Sequence, residues 1–203
     1  QATAILQFKL ESQLIARRPD FHLEERDVLH FINYDEKRIS LKGKEYDLQE
    51  FQAPTVDPVQ PERLNAEEEI LLKKLLKNFK ASQKLKKHID FLLEKGSMYL
   101  SYNGNLLIHG CLPLHENGDF KCFRLEGEAY SGRELLDLFE DHVRKSLAHP
   151  DVQEDLSTDL LWYLWVGESS SLFGKEAMTT FERYYISDKV THVEKKNPYY
   201  RLR

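Results

Sequence analysis

Gly96-Ser-Met-Tyr-Leu-Ser-Tyr-Asn-Gly-Asn-Leu-Leu-Ile-His-Gly-Cys-Leu-Pro113 sets Asn103-Gly104 between two short apolar runs. Both turn residues tolerate positive φ, so the dipeptide suits a type I′ turn joining antiparallel strands. A two-residue loop puts Tyr102 across from Asn105 and Met98 across from His109. The second strand, Asn105 to Ile108, then delivers an imidazole at its end, next to Gly110. A histidine at a strand end followed by glycine is one way to hold a metal ligand at the rim of a sheet. The other reading of the same spacing is a hydrogen-bonded structural histidine.

Outward from this hairpin the chain alternates helix and strand patterns, which reads as α+β. Ala2 to Arg18 carries Ile5, Leu6, Leu10 and Leu14 at helical spacing, and Pro19 stops it. A short helix is expected from Leu23 to Phe31. Arg38 to Leu48 reads as a hairpin around Lys42-Gly43-Lys44, with Ile39, Leu41, Tyr46 and Leu48 inward. Phe51 to Leu64 holds Pro54, Pro58 and Pro61 and reads as an irregular connector. It divides residues 1–64, a peripheral helix-plus-hairpin layer, from the main body at 65–203.

Asn65 and Glu68 have the spacing of a capping box, opening a helix striped by Leu71, Leu72, Leu75, Leu76 and Phe79. Ser82 caps a second helix, built on Leu85, Ile89, Leu92 and Leu93 and ended by Gly96. The lysines interleaved with these stripes read as a solvated face. After the His109 hairpin, Asn117-Gly118 marks a second turn, with a strand from Phe120 to Leu125. Ser131 and Glu134 repeat the capping-box spacing before a helix to His149, which Pro150 closes. A helix from Asp151 to Val166 follows, then a serine-rich loop from Gly167 to Gly174 and a short aromatic helix from Met178 to Ile186. Ser187 to Arg203 shows little periodicity.

Composition excludes several function classes. The 203 residues carry 29 basic and 34 acidic side chains, well mixed, for a net charge of −5. That balance argues against general nucleic-acid binding, which calls for a basic excess on one face. The longest apolar run, Leu160 to Val166, falls far short of the roughly 18 residues of a membrane span. Cys111 and Cys122 are too few for a disulfide framework, and the first residues carry no charged-then-apolar leader, so a cytoplasmic location is expected. The chain begins at Gln1 and its methionines are Met98 and Met178, which reads as an interior segment of something longer.

No local motif completes a site. There is no phosphate loop, no G-x-G-x-x-G, no C-x-x-C and no H-E-x-x-H. Ser169 to Ser171 lack the glycine of a nucleophile elbow. Lys175 and Arg183 sit beside aromatic and hydroxyl residues, a composition suited to holding a phosphate. Surface ion pairs with Glu168, Glu176 and Glu182 are the alternative.

Three strings carry a family resemblance: Gly96 to Leu114, Leu161 to Gly167, and Leu172-Phe-Gly-Lys-Glu-Ala-Met-Thr-Thr-Phe-Glu-Arg-Tyr-Tyr-Ile186. With Arg17 to Asp20, Pro54 to Pro58 and Thr191 to Tyr200, they resemble class III fructose-1,6-bisphosphatase, the bacterial manganese-dependent form. The resemblance implies part of a calcineurin-like metallophosphoesterase α/β/β/α sandwich. It implies hydrolysis of the 1-phosphate of fructose 1,6-bisphosphate in gluconeogenesis, by two Mn2+ ions that activate a water. Of that family's metal ligands, the isolated strand-end histidine alone has a counterpart here, His109. The others would lie in the remaining segments of the enzyme, so the 203-residue chain is expected to be inactive alone. Two positions depart from the family pattern, the serine-rich stretch at Ser169 to Ser171 and Val166 in place of a cysteine. A second reading keeps the chain as a non-catalytic regulatory or oligomerisation module, using the helices from Asn65 to Lys95 to bind a partner, in a homo-oligomer among other arrangements.

Overall fold

A computed structural model of the chain describes residues 2–202. In chain order the regular elements are α1 (Ala2–Arg17), β1 (Ile32–Asn33), β2 (Arg38–Leu41), β3 (Lys44–Asp47), α2 (Ala66–Ala81), α3 (Gln83–Lys95), β4 (Tyr99–Tyr102) and β5 (Asn105–Ile108). They continue with β6 (Phe123–Leu125), β7 (Glu128–Tyr130), α4 (Gly132–Ala148), α5 (Leu156–Val166), α6 (Thr180–Tyr185) and α7 (Tyr199–Leu202). The fold is α+β. Among the described residues the strands form three separate antiparallel sheets, β1-β2-β3, β4-β5 and β6-β7. The chain divides into two compact units, residues 1–89 with 179–193, and residues 90–178 with 194–203. This division does not coincide with the sequence boundary at residue 64, because residues 65–89 and 179–193 belong with the N-terminal unit.

In the first unit, α1 buries Ile5, Leu6, Phe8, Leu14 and Ile15. Leu10, expected inward, is exposed, because the buried face runs instead through Lys9, Glu11 and Ser12. Lys9 is fully buried. Its Nζ donates to Thr55 O at 2.6 Å, Arg63 O at 2.9 Å and Glu68 Oε2 at 2.8 Å, so all three ammonium donors are satisfied. Glu68 in turn accepts from the Asn65 amide while its own amide donates to Asn65 Oδ1, the reciprocal capping box expected of this pair. One buried lysine therefore ties α1, the proline-rich connector and the start of α2 together, and this is why residues beyond 64 join the N-terminal unit.

The expected helix from Leu23 to Phe31 is instead two 3-10 turns, Glu24–Arg26 and Val28–Phe31. The hairpin at Lys42-Gly43 forms with Ile39 across from Tyr46, and both turn residues take positive φ. The core gathers Ile5, Phe8, Leu29, Ile39, Leu48 and Phe51 around Phe181, Tyr185 and Ile186. Ring contacts bind it: Phe8 to Phe181 at 5.4 Å and Phe51 to Tyr185 at 5.0 Å between centroids. The stripe of α2 does not join this core. Ile70, Leu71, Leu75, Leu76 and Phe79 are exposed.

The second unit packs α4 against α5, with Leu135, Leu136, Phe139, Leu160, Tyr163, Leu164 and Val166 buried. Phe123 meets Tyr163 at 4.6 Å and Phe139 at 5.7 Å. Three local expectations are corrected here. The strand expected from Phe120 shrinks to β6, paired with β7 through a turn at Glu126-Gly127, where both residues take positive φ. Ser131 makes no side-chain cap to α4, whose first residue, Gly132, takes the left-handed φ of +52. The last long helix begins at Leu156, not Asp151, since Asp155 caps it by accepting from Ser157 N and Thr158 N. Among the described residues no helix is long and apolar enough to cross a membrane.

Candidate functional site at the His109 strand end

Asn103 and Gly104 take φ +55 and +73, the conformation a type I′ turn requires. The ladder pairs Tyr102 with Asn105, Ser101 with Leu106, Leu100 with Leu107 and Tyr99 with Ile108. The ladder ends at Tyr99 and Ile108, so Met98 and His109, expected to face each other, lie one residue beyond it on either side. His109 itself lies one residue past β5 and its side chain is exposed.

The residues after His109 are held tightly. Gly110 takes φ +85, and a Cβ there would stand 2.1 Å from Ser171 O. The Cys111 amide donates to that same carbonyl at 2.9 Å. Burial pushes the Cys111 thiol up to about 11, although a hydrogen bond from Tyr200 and the charge of Lys121 oppose it. The serine-rich loop is the wall behind this turn. Ser169, Ser170 and Ser171 are all buried. Ser170 Oγ donates to Leu164 O at 2.6 Å and accepts from Leu172 N and Phe173 N, so it closes the C-terminal end of α5 and shapes the loop. From sequence this stretch reads only as a serine-rich loop. Its burial depends on the return of residues 110–111 from elsewhere in the chain.

Lys175 and Arg183 fall in different compact units. Lys175 belongs to the second unit, where its Nζ pairs with Glu194 Oε2 at 2.5 Å. The neighbouring carboxylates expected to compete for it are engaged elsewhere, Glu168 with Lys121 at 3.2 Å and Glu176 with Lys195 at 3.0 Å. Arg183 belongs to the first unit, on α6. Its Nε donates to Thr179 Oγ1 at 3.1 Å and a terminal nitrogen donates to His192 O at 3.3 Å, which tethers the turn at Lys189–His192. Asn197 escapes a reading by sequence altogether. It is buried, and its Oδ1 accepts from Leu114 N at 3.1 Å and Tyr199 N at 3.0 Å. The Asn-Pro dipeptide was its only signal.

Among the described residues no group of three or more His, Cys, Asp or Glu side chains could hold a metal ion. A manganese centre takes several oxygen and imidazole ligands in near-octahedral array. The exposed imidazole of His109 could serve as one metal ligand.

The chain nevertheless has a clear class. Residues 1–203 match the model of the Firmicute fructose-1,6-bisphosphatase family from end to end, and the chain belongs to that family. It is similar to the class 3 fructose-1,6-bisphosphatase of Lactococcus lactis subsp. cremoris (strain MG1363), 70% identical over 203 residues, all of this chain and 32% of that protein. The class 3 enzymes of Streptococcus agalactiae serotype III (strain NEM316) and of Bacillus velezensis are 59% and 56% identical, again over all of this chain and 32% of theirs. The chain thus spans about a third of the length of the curated relatives it matches. No solved structure matches it.

Proposed function

We propose that this chain is a segment of a fructose-1,6-bisphosphatase that removes the 1-phosphate of fructose 1,6-bisphosphate in gluconeogenesis, within a cytoplasmic metallophosphoesterase sandwich. The observation that carries the reading is the family match over residues 1–203. In it, His109 is one ligand of a Mn2+ centre whose other ligands come from the remaining segments of the enzyme. Bound metal supplies Lewis-acid stabilisation of phosphate oxygens and an activated water. The part played by this chain is to present one imidazole, exposed at a strand end and backed by a buried loop, in a fixed direction. Lys175 and Arg183 are candidate phosphate contacts, and each would have to exchange a present partner, Glu194 or the His192 carbonyl, for substrate.

His109→Ala in the complete enzyme separates the readings. Loss of most turnover and of manganese affinity at unchanged thermal stability is expected. Normal manganese affinity and turnover would remove the assignment. The 203-residue chain alone should show no turnover of fructose 1,6-bisphosphate with Mn2+ present.

A second reading has one observation in its favour. Ile70, Leu71, Leu75, Leu76 and Phe79 of α2, and Phe91 and Leu92 of α3, are exposed, as expected of an oligomerisation or regulatory surface. Sedimentation of the complete enzyme with Leu75→Glu against the parent distinguishes it: a change of oligomeric state without loss of turnover favours this role.

A further inference from the structure

The β4-β5 hairpin has little packing to hold it. Leu100, Ser101, Tyr102, Asn105, Leu106 and Leu107 are all exposed, and a two-stranded hairpin is marginal in water. Its direction therefore depends on its two roots. The root after β5 is the Cys111 amide on Ser171 O. The root before β4 is a carboxylate from α4. Glu140 Oε2 accepts from the Met98 amide at 2.9 Å and from Ser97 Oγ at 2.7 Å. Its other oxygen is held by Arg144, whose Nε and a terminal nitrogen reach it at 3.0 and 2.8 Å. Arg144 also donates to Leu93 O at 2.7 Å and Gly96 O at 2.9 Å, taking up carbonyls left open at the end of α3. Arg133, from the first turn of α4, adds a bond to Tyr99 Oη at 2.9 Å.

Each Glu140 oxygen has a separate task. One is oriented by the arginine that closes α3, and the other grips the backbone at Met98, one residue before β4, while His109 lies one residue after β5. A bond to a charged acceptor is stronger than a neutral one, and a gripped amide cannot slip by a residue without losing it. A slip of one residue would turn the imidazole to the opposite face of the hairpin.

We propose that Glu140, oriented by Arg144, is a positioning residue for His109: by holding Met98 it fixes the register and direction in which the hairpin presents the imidazole. The proposal rests on the reading of His109 as a metal ligand. Burial works against ionisation of Glu140, but the bonds from Ser97, Met98 and Arg144 outweigh it and keep the carboxyl below its usual range, so the acceptor is charged at neutral pH.

The test uses the complete enzyme, with Mn2+ titrated by equilibrium dialysis and amide exchange followed in the metal-free protein. Glu140→Ala should weaken manganese affinity by roughly tenfold, as loss of a partner behind a ligand does. It should also speed exchange at Met98 to Leu100 and Leu107 to His109, and leave the KM for fructose 1,6-bisphosphate unchanged. Glu140→Gln should recover only part of the affinity, since its one amide oxygen can still accept from Met98 while its NH2 then faces the Arg144 donors. A lowered melting temperature with unaltered manganese affinity would overturn the proposal. If Glu140→Ala does not fold, Arg144→Ala is read by the same measurements and with the same consequences. His109→Ala runs beside them. If it too leaves manganese affinity intact, the ligand reading fails. If it loses the metal while the Glu140 variants keep it, the positioning role alone fails.

Discussion

At Gly110 the chain turns at φ +85, with Ser171 O placed where a side chain would begin. Both strain and collision follow from any Cβ there. Gly110→Ala should cost about 3 kcal/mol in urea unfolding. Gly104→Ala is the control: its φ is also positive, but the surroundings are open, so about 1 kcal/mol is expected. Equal costs at the two positions would contradict the close approach. The cysteines divide in the same way. Cys122 is exposed, whereas Cys111 is buried with its thiol pushed up to about 11. At pH 8 the thiolate fraction of Cys111 is about one in a thousand, so iodoacetamide should label Cys122 alone in the native protein. Mass spectrometry after brief labelling checks this, and modified Cys111 would show that the turn opens.

Among the elements, two helices with the same capping-box spacing behave differently. Asn65 and Glu68 exchange both bonds, and Ser131 makes none. Asn65→Ala should therefore cost about 1 kcal/mol. Ser131→Ala should stay within about 0.5 kcal/mol, as a surface change does. Chemical denaturation of both variants reads the difference. Spacing alone could not separate them, because it does not show that Gly132, the residue after Ser131, takes the left-handed φ of +52.

For the molecule as a whole, the buried Lys9 ties segments of the first unit that are far apart in sequence. Lys9→Ala leaves Glu68 partly buried without its cation and two carbonyls without a donor, and about 3–5 kcal/mol of destabilisation is expected. Acid should act through the same pair. Burial raises the Glu68 carboxyl, but bonds from Lys9, Asn65 and Thr55 outweigh this and hold it below its ordinary 4.5. A lowered folded value means that the stabilisation is complete above pH 4.5 and is lost as pH falls through that lowered value. The stability gap between the parent and Glu68→Gln should therefore be largest near neutrality and close in acid. Glu11 runs the other way. Burial raises its carboxyl above 4.5 despite the bond and charge of Arg26, so its ionisation penalises folding as pH rises past 4.5. Unfolding of the two glutamine variants across pH 3 to 8 checks both signs.

Features made within a few residues were legible from the chain. The type I′ turn at Asn103-Gly104, the register that follows from it and the cap at Asn65 all depend on local chemistry, where φ preference and hydrogen bonds over three residues decide the outcome. What depends on residues distant in sequence was not. The burial of Ser169 to Ser171 requires the return of Gly110 and Cys111. The core of the first unit requires Phe181 and Tyr185 to meet Phe8 and Phe51. The grip of Glu140 on Met98 spans 42 residues. Nothing in local periodicity marks such pairs, because a helix face or a loop hydroxyl carries no record of which distant backbone will cover it.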